Sequence, residues 1–338
     1  VKQQIDAAIV CFYKSTMSDH LRTVIIPDVH GSDRALSASL EHAGAADTVV
    51  TLGDYTDRGD ENRRVLNRLC SMITDTKTRL VPLAGNHEVD MCRALGTEDA
   101  AQVWRWLKKG GHTLLREVAE TQGLRLRRPR KMNFPVPVTE PEKQQRWRNF
   151  ITKKDLAQID LPATFQALKD MILSGEYAPL YRSLQIVAEI RHCCWAVHAN
   201  VTNRGAKKGI DASNREFARL REAHYQEMPG GLMGMLEEFG KHIPVLDEKE
   251  RSAHLKNKGV GLIIHGHASM SNGHPRVRRQ GRLTIAGIDI AMSHGIKSPA
   301  EWGYASVDTD GAVTVVSSVM KKPTIIGTID DENRFQQK

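Results

Sequence analysis

Aspartate, asparagine and histidine recur in this chain at the ends of short apolar runs. Asp28 and His30 close the run "RTVIIPDVHG". Two residues apart on an extended segment, their side chains point the same way. A carboxylate oxygen and an imidazole nitrogen so related suit a borderline-soft divalent cation, although the pair taken alone reads as a surface turn. Asp54 follows a second apolar run, in "LGDYTDRGD". It can face a cation there while Asp57 stands behind it, and Arg58 offers the planar donor fork that matches phosphate oxygens. A third run ends in "AGNHE", where Asn86 carries an uncharged carbonyl ligand and His87 follows directly. His198 ends "CCWAVHAN", and His265 and His267 end "GLIIHGH". The glycine between the last two permits close backbone approach.

The residues argue jointly. Histidines satisfied in the core would account for one or two of these positions, and scarcely for all. In sheets built from such runs, ligands gather at the carboxyl ends of the strands. A carboxylate shared by two cations, here Asp54, would lower the pKa of a water between them and hold a phosphoryl group in line with it. Asp, Asn and His without thiolate admit two divalent cations, with manganese the first expectation and iron, zinc or magnesium compatible.

The elements that must position these groups alternate. "RTVIIPDVHG", "DTVVTLGDYTDRG" and "TRLVPLAGNHE" read as buried strands. Between them, "SDRALSASLEHAG" spaces Leu36, Leu40 and Ala43 on one helical face, and "ENRRVLNRLCSMI" does the same with Val65, Leu66, Leu69 and Met72. This order predicts a parallel sheet covered by helices. "EDAAQVWRWLKKGGH" predicts a helix ended by its glycines, and "PATFQALKDMIL" predicts another. "SLQIVAEI" and "HCCWAVHAN" are expected to resume the sheet, and residues 211–240 to be helical. Four closing strand signals, "GVGLIIHGHAS", "GRLTIAGIDI", "WGYASVDT" and "AVTVVSSV", suggest a second sheet packed on the first. The expected organisation is one domain over 18–325 with a cap-like insertion at about 98–185. Residues 1–17 form an N-terminal extension, and the polar tail 326–338 is expected to fray.

Composition sets the limits. No stretch approaches a membrane span. Five cysteines, an odd number with Cys193 and Cys194 adjacent and no CxxC, argue against a disulfide framework or a zinc knuckle. They fit a cytoplasmic or other reducing intracellular compartment. The formal charge of +8 points to anionic partners. Part of the excess lies in "RLRRPRK", residues 125–131, but no nucleic-acid-binding pattern accompanies it.

In order, "PDVHG", "GDYTDRG", "GNHE", "VHAN" and "HGHAS" resemble the five motifs of the calcineurin-like metallophosphoesterases, nearest to the phosphoprotein-phosphatase branch. The resemblance implies an α/β fold (α+β by some schemes), a two-layered β-sandwich flanked by helices. It implies a first metal on Asp28 and His30, a bridge through Asp54, and a second metal on Asn86, His198 and His267. By the same resemblance His87 protonates the leaving oxygen or steadies the transition state, Asp57 orients it, and Arg58 clamps the phosphate. A metal-bridging water or hydroxide then attacks phosphorus directly, without a covalent intermediate. "DRGDENRRVLNRL", "GNHEVDMC" and "IDIAMSHG" resemble the Shewanella-like protein phosphatases. "VHAN" is closer to the "VHAG" of symmetrical diadenosine tetraphosphatases. Those enzymes usually read "GNHD" and lack an acid at the position of Asp57.

Departures from the pattern are Pro27 before the first ligand, Asn200 where phosphatases commonly have Gly, and Ser269 in place of a further histidine. Arg204, Arg215, Arg219 and Arg221 are all candidates for a further phosphate-binding arginine, and "PGGLMGML" stands where an Arg-bearing stretch is expected. The expected activity is phosphomonoester hydrolysis, phosphoserine and phosphothreonine included. Hydrolysis of diadenosine tetraphosphate or polyphosphate is the alternative, and a non-catalytic scaffold or nucleic-acid-binding protein the remaining one. The partner is thus an anionic phosphate-containing substrate (phosphoprotein, nucleotide or polyphosphate), with neither membrane nor nucleic acid expected and the oligomeric state open.

Overall fold

A computed structural model of the chain describes residues 21–97, 99–126, 149–222, 248–267, 273–289 and 301–338. The N-terminal extension, 127–131 of the basic run, 223–240 of the expected helical stretch with "PGGLMGML", Ser269 and 290–295 of "IDIAMSHG" lie outside them.

Residue alternation in the strands builds two layers. In β1 (Thr23–Ile26), Ile25 points into one buried cluster while Val24 and Ile26 point into another. β2 (Thr48–Thr51) and β3 (Arg79–Pro82) continue β1 in parallel register, Ile25 opposite Val50 and Val50 opposite Val81. The helices Asp33–Ala43 and Asn62–Thr74 cross between these strands and cover the Val24 and Ile26 side with Leu36, Leu66 and Leu69. The first is capped by Ser32, whose hydroxyl accepts from the Ala35 amide.

The second layer is β4 (Val187–Arg191), β5 (Cys194–Val197), β6 (Leu262–His265), β7 (Arg276–Gln280) and β8 (Leu283–Gly287), in the order β4-β5-β6-β8-β7. Ala188, Ile190, Ala196, Ile264 and Ala286 face Ile25, Val50 and Val81 across the space between the sheets. β9 (Gly303–Val307), β10 (Ala312–Ser317), β11 (Thr324–Ile329) and β12 (Phe335–Gln337) complete the first sheet as β12-β11-β10-β9-β1-β2-β3. The result is an α/β fold of two mixed sheets flanked by helices, the expected sandwich.

Three expectations need correction. The segment expected to resume the first sheet touches it only at an isolated bridge between Leu83 and Gln185, then crosses to form β4 and β5 of the second. "WGYASVDT" and "AVTVVSSV" join the first sheet beside β1. Strand propensity does not choose an edge or a sheet. The tail is not frayed, because Gly327 pairs with Gln337 and Ile329 with Phe335, and Phe335 packs on the inter-sheet core. The glycines do end the helix that starts at Ala100, as expected: Gly110 takes φ 124°, outside helical geometry, and a further helix, His112–Thr121, follows directly. That helix packs on Asn62–Thr74 and on the helix Leu161–Leu173, so this part of the 98–185 region joins the helical layer over the first sheet.

Candidate metal centre

The carboxyl ends of β1, β2, β3, β5 and β6 meet at one place, drawn from both sheets. Asp54 lies at its centre, buried just past β2. On one side its Oδ2 is 3.5 Å from His30 Nε2 and 3.9 Å from His87 Nε2. On the other its Oδ1 is 3.6 Å from His198 Nε2. That nitrogen is also 3.3 Å from Asn86 Oδ1 and 3.1 Å from His267 Nδ1. Two groups, His30 with Asp54 and His87, and Asp54 with His198 and His267, each bring their ligand atoms within 4.8 Å of one another. Asp54 belongs to both. Asp28 lies beside the second group, 3.9 Å from His198 Nδ1, and both its oxygens accept from the His267 amide at 3.1 Å.

The donor set fits cations. His30 Nδ1 hydrogen-bonds to the Thr56 carbonyl and His198 Nδ1 to the Leu52 carbonyl. Each ring, when neutral, then turns an Nε2 lone pair towards Asp54. Burial drops the His30 pKa to about 3, which keeps it neutral. Lone pairs and carboxylate oxygens 3.1–3.6 Å apart are spaced like neighbouring ligands around one ion. Asp28, Asp54, Glu88 and Asp289 are all buried here. Burial, then Asp289 and Asp54, push the Asp28 carboxyl well above the usual range. Burial also acts against the Asp54 charge, but His198, His87 and His30 hold its carboxyl well below that range. Buried like charges need compensation, and divalent cations supply it.

Backbone geometry accounts for the convergence and corrects two sequence arguments. His30 has φ 42°, so it reaches Asp54 from a turn and not by alternation along an extended segment with Asp28. Asn86 and His87 open the helix Asn86–Thr97 and do not extend β3. The His87 amide, at the positive end of that helix, donates to Asp54 Oδ1 at 2.9 Å. Asp54, Asp57, Arg58 and His267 also have positive φ (53°, 75°, 68° and 64°). Such strain collects at functional sites. Gly266 is close-packed as expected, because a Cβ there would collide with Asp28 Oδ1.

Beside this centre His87 Nδ1 donates to Asp57 Oδ2 at 2.6 Å, directing Nε2 towards Asp54 and Arg58. Burial lowers the affinity of His87 for a proton, but Asp54 and Asp57 outweigh it and raise its pKa. The exposed Arg58 brings Nη2 to 3.4 Å from His87 Nε2.

Two contributors went unread in the sequence. Glu88 is buried and accepts the amides of Asp54 (2.7 Å), Tyr55 (2.9 Å) and Gly85 (2.9 Å), tying the loop after β2 to the loop after β3. Burial and the Asp54 charge push its carboxyl up to about 7. Its place in the first turn of a helix was the available signal. Trp106 donates its indole N–H to Asp57 Oδ1 and Oδ2 at 3.2 and 3.1 Å. Nothing in the sequence relates it to Asp57. His265 turns Nδ1 to the Gly266 carbonyl and belongs to neither ligand group. Asn200 accepts from the Val201 amide at 2.9 Å and from Arg251 at 3.3 Å, bracing the loop after His198. Of the candidate arginines, Arg221 donates to the Leu184 carbonyl, while Arg204, Arg215 and Arg219 are exposed.

The model of the calcineurin-like phosphoesterase family matches residues 21–204. Among solved structures, the cold-active protein tyrosine phosphatase of a psychrophilic Shewanella sp. is similar with a TM-score of 0.54 and 14% identity, covering 92% of this chain and 83% of that one. A mutant of a cold-active protein tyrosine phosphatase gives a TM-score of 0.55 and 15% identity, over 92% of this chain and 82% of that one. At such identities the likeness is one of fold. No curated protein matches the chain.

Proposed function

From the premise that this chain belongs to the calcineurin-like phosphoesterase family, we propose that it hydrolyses phosphomonoesters, with phosphoserine and phosphothreonine among its substrates. The observation that carries this reading is the buried His87–Asp57 pair, its Nε2 turned towards Arg58 and the Asp54 ligand groups. A serine or threonine alkoxide is a poor leaving group and needs a proton, which a histidine held by a carboxylate can deliver.

Two divalent cations, when bound, supply an activated water and neutralise charge on the phosphoryl group. Asp54 would be shared by the two, with His30 on one side of it and Asn86, His198 and His267 on the other. Asp28, paired with His30 by the family resemblance, here reaches the site beside His198. Manganese is the first candidate. Arg58 meets the phosphate oxygens with its donor fork. His87, protonated on both nitrogens, would deliver the Nε2 proton to the departing oxygen, while Asp57 accepts from Nδ1–H and stabilises the positive ring. The exposed Arg276, Arg278, Arg279 and Arg282, on and just after the edge strand β7, suit an anionic substrate. Arg276 lies opposite Gly287, which lies opposite His265, so the patch begins two strands from the ligand His267. Among the described residues no helix is long and apolar enough to cross a membrane.

Hydrolysis of dinucleoside tetraphosphates or polyphosphate is the second reading, favoured by the same arginines. Turnover of phosphoserine and phosphotyrosine peptides, diadenosine tetraphosphate and short polyphosphate by the manganese-loaded protein tests both. Fastest turnover of the phosphoserine peptide supports the first reading, and preference for either anhydride overturns it.

A further inference from the structure

We infer that Trp106 is a positioning residue for the leaving-group proton, the third member of a Trp106–Asp57–His87 relay. The inference rests on the proposed role of His87. Asp57 is fully buried, and its side chain takes two donors, the His87 ring and the indole N–H. The indole is equally buried, and its N–H bridges both carboxylate oxygens. A neutral donor there stabilises the Asp57 anion without adding a charge, and it fixes the plane of the carboxylate. That plane decides whether Oδ2 lies on the axis of His87 Nδ1–H.

The chain builds this contact deliberately. The chain kinks at Gly110, four residues after Trp106, where one helix ends and the next begins. Gly110 takes φ 124° and lies against the Arg58 backbone, and its carbonyl accepts from the Arg58 amide at 3.4 Å. A Cβ on Gly111 would collide with the indole ring. On the far side Phe165 sets its ring edge-on to the indole at 5.9 Å. The segment 106–111 thus clasps the strained Asp57–Arg58 loop from behind. Without the indole donor the Asp57 carboxylate would be free to rotate, and Oδ2 could leave the axis of His87 Nδ1–H.

A buried tryptophan usually finds some partner for its N–H, so a purely structural role is the competing account. A double-mutant cycle separates the two. Trp106→Phe keeps a ring in the core and removes only the donor. With manganese bound, it should lower kcat on an alkyl phosphate about 10-fold, as loss of an orienting hydrogen bond does. KM should hold, and the loss on an activated aryl phosphate should be smaller. In a His87→Asn background it should add nothing. An equal loss in both backgrounds, or none in either, overturns the inference. If His87→Asn itself costs nothing, the reading of His87 fails instead.

A readout independent of activity uses the metal-free protein. The Trp106 indole ¹H–¹⁵N signal, identified by its loss in Trp106→Phe, should be protected from solvent exchange and should move in Asp57→Asn. Should Trp106→Phe not fold, one protected indole signal moving in Asp57→Asn still supports the contact. Indole signals all unmoved by that change overturn it.

Discussion

His198 Nε2 and His267 Nδ1 face each other at 3.1 Å, with Asp54 Oδ1 3.6 Å from the former. The other nitrogen of His198 is already engaged by the Leu52 carbonyl. Two lone pairs and a carboxylate so close repel unless a proton or a cation lies among them. Because Asp54 serves both ligand groups, Asp54→Asn removes the charge that holds two like ions together. Metal analysis after loading with manganese should show fewer than two ions per chain, with turnover collapsed and circular dichroism unchanged. Two ions retained at near-normal rates would refute the bridging role.

His87→Asn should leave both cations in place. On an alkyl phosphate kcat should fall about 100-fold, in line with a lost general acid. On an activated aryl phosphate the fall should be clearly smaller, since that oxygen leaves unaided. Equal losses on the two would exclude protonation of the leaving group.

Glu88→Ala leaves the amides of Asp54, Tyr55 and Gly85 without their acceptor. Each buried unpaired donor costs about 1–3 kcal/mol. Chemical denaturation of the manganese-loaded protein should show at least one such increment of lost stability, with weaker metal binding. Wild-type stability would mean that the loops are held by other contacts.

Gly266→Ala drives a methyl group into the Asp28 carboxylate. Isothermal titration should report at least a 10-fold loss of manganese affinity, since displaced supporting groups cost this much. An unaltered binding curve would show that the turn can yield.

Arg276→Ser with Arg278→Ser removes two charges near the catalytic end of the second sheet. If these residues steer anionic substrates, KM should rise at low ionic strength and its salt dependence should weaken, with kcat intact. Identical low-salt kinetics would mark the patch as a solvated edge, charged in the way that discourages strand pairing.

The candidate ligand residues stand out in the sequence because each follows a short apolar run, and runs of this kind end where ligands gather. The strands and the first two helices were legible for the same reason of periodicity. Sheet membership was not: Ala305 and Ile264 have similar neighbours in sequence, and only the tertiary pairing puts one beside Ile25 and the other across from it. Nor was the support behind the site. Trp106 and Asp57 are linked by one hydrogen bond between segments with no shared pattern. The tail misled because polar residues alternate with Phe335, and a short edge strand needs only one buried anchor.

The first sheet places Ile25 against Ala305. During synthesis β1, β2 and β3 therefore leave the ribosome with one flank of β1 bare, and its neighbour follows roughly 15–60 s later at about 5–20 residues per second. For that interval β1, buried throughout in the finished fold, is an open edge, the usual template for wrong pairing. Nascent chains halted before β9 should accordingly engage chaperones and resist compaction. Release should come once the strands from β9 to β12 have closed the flank.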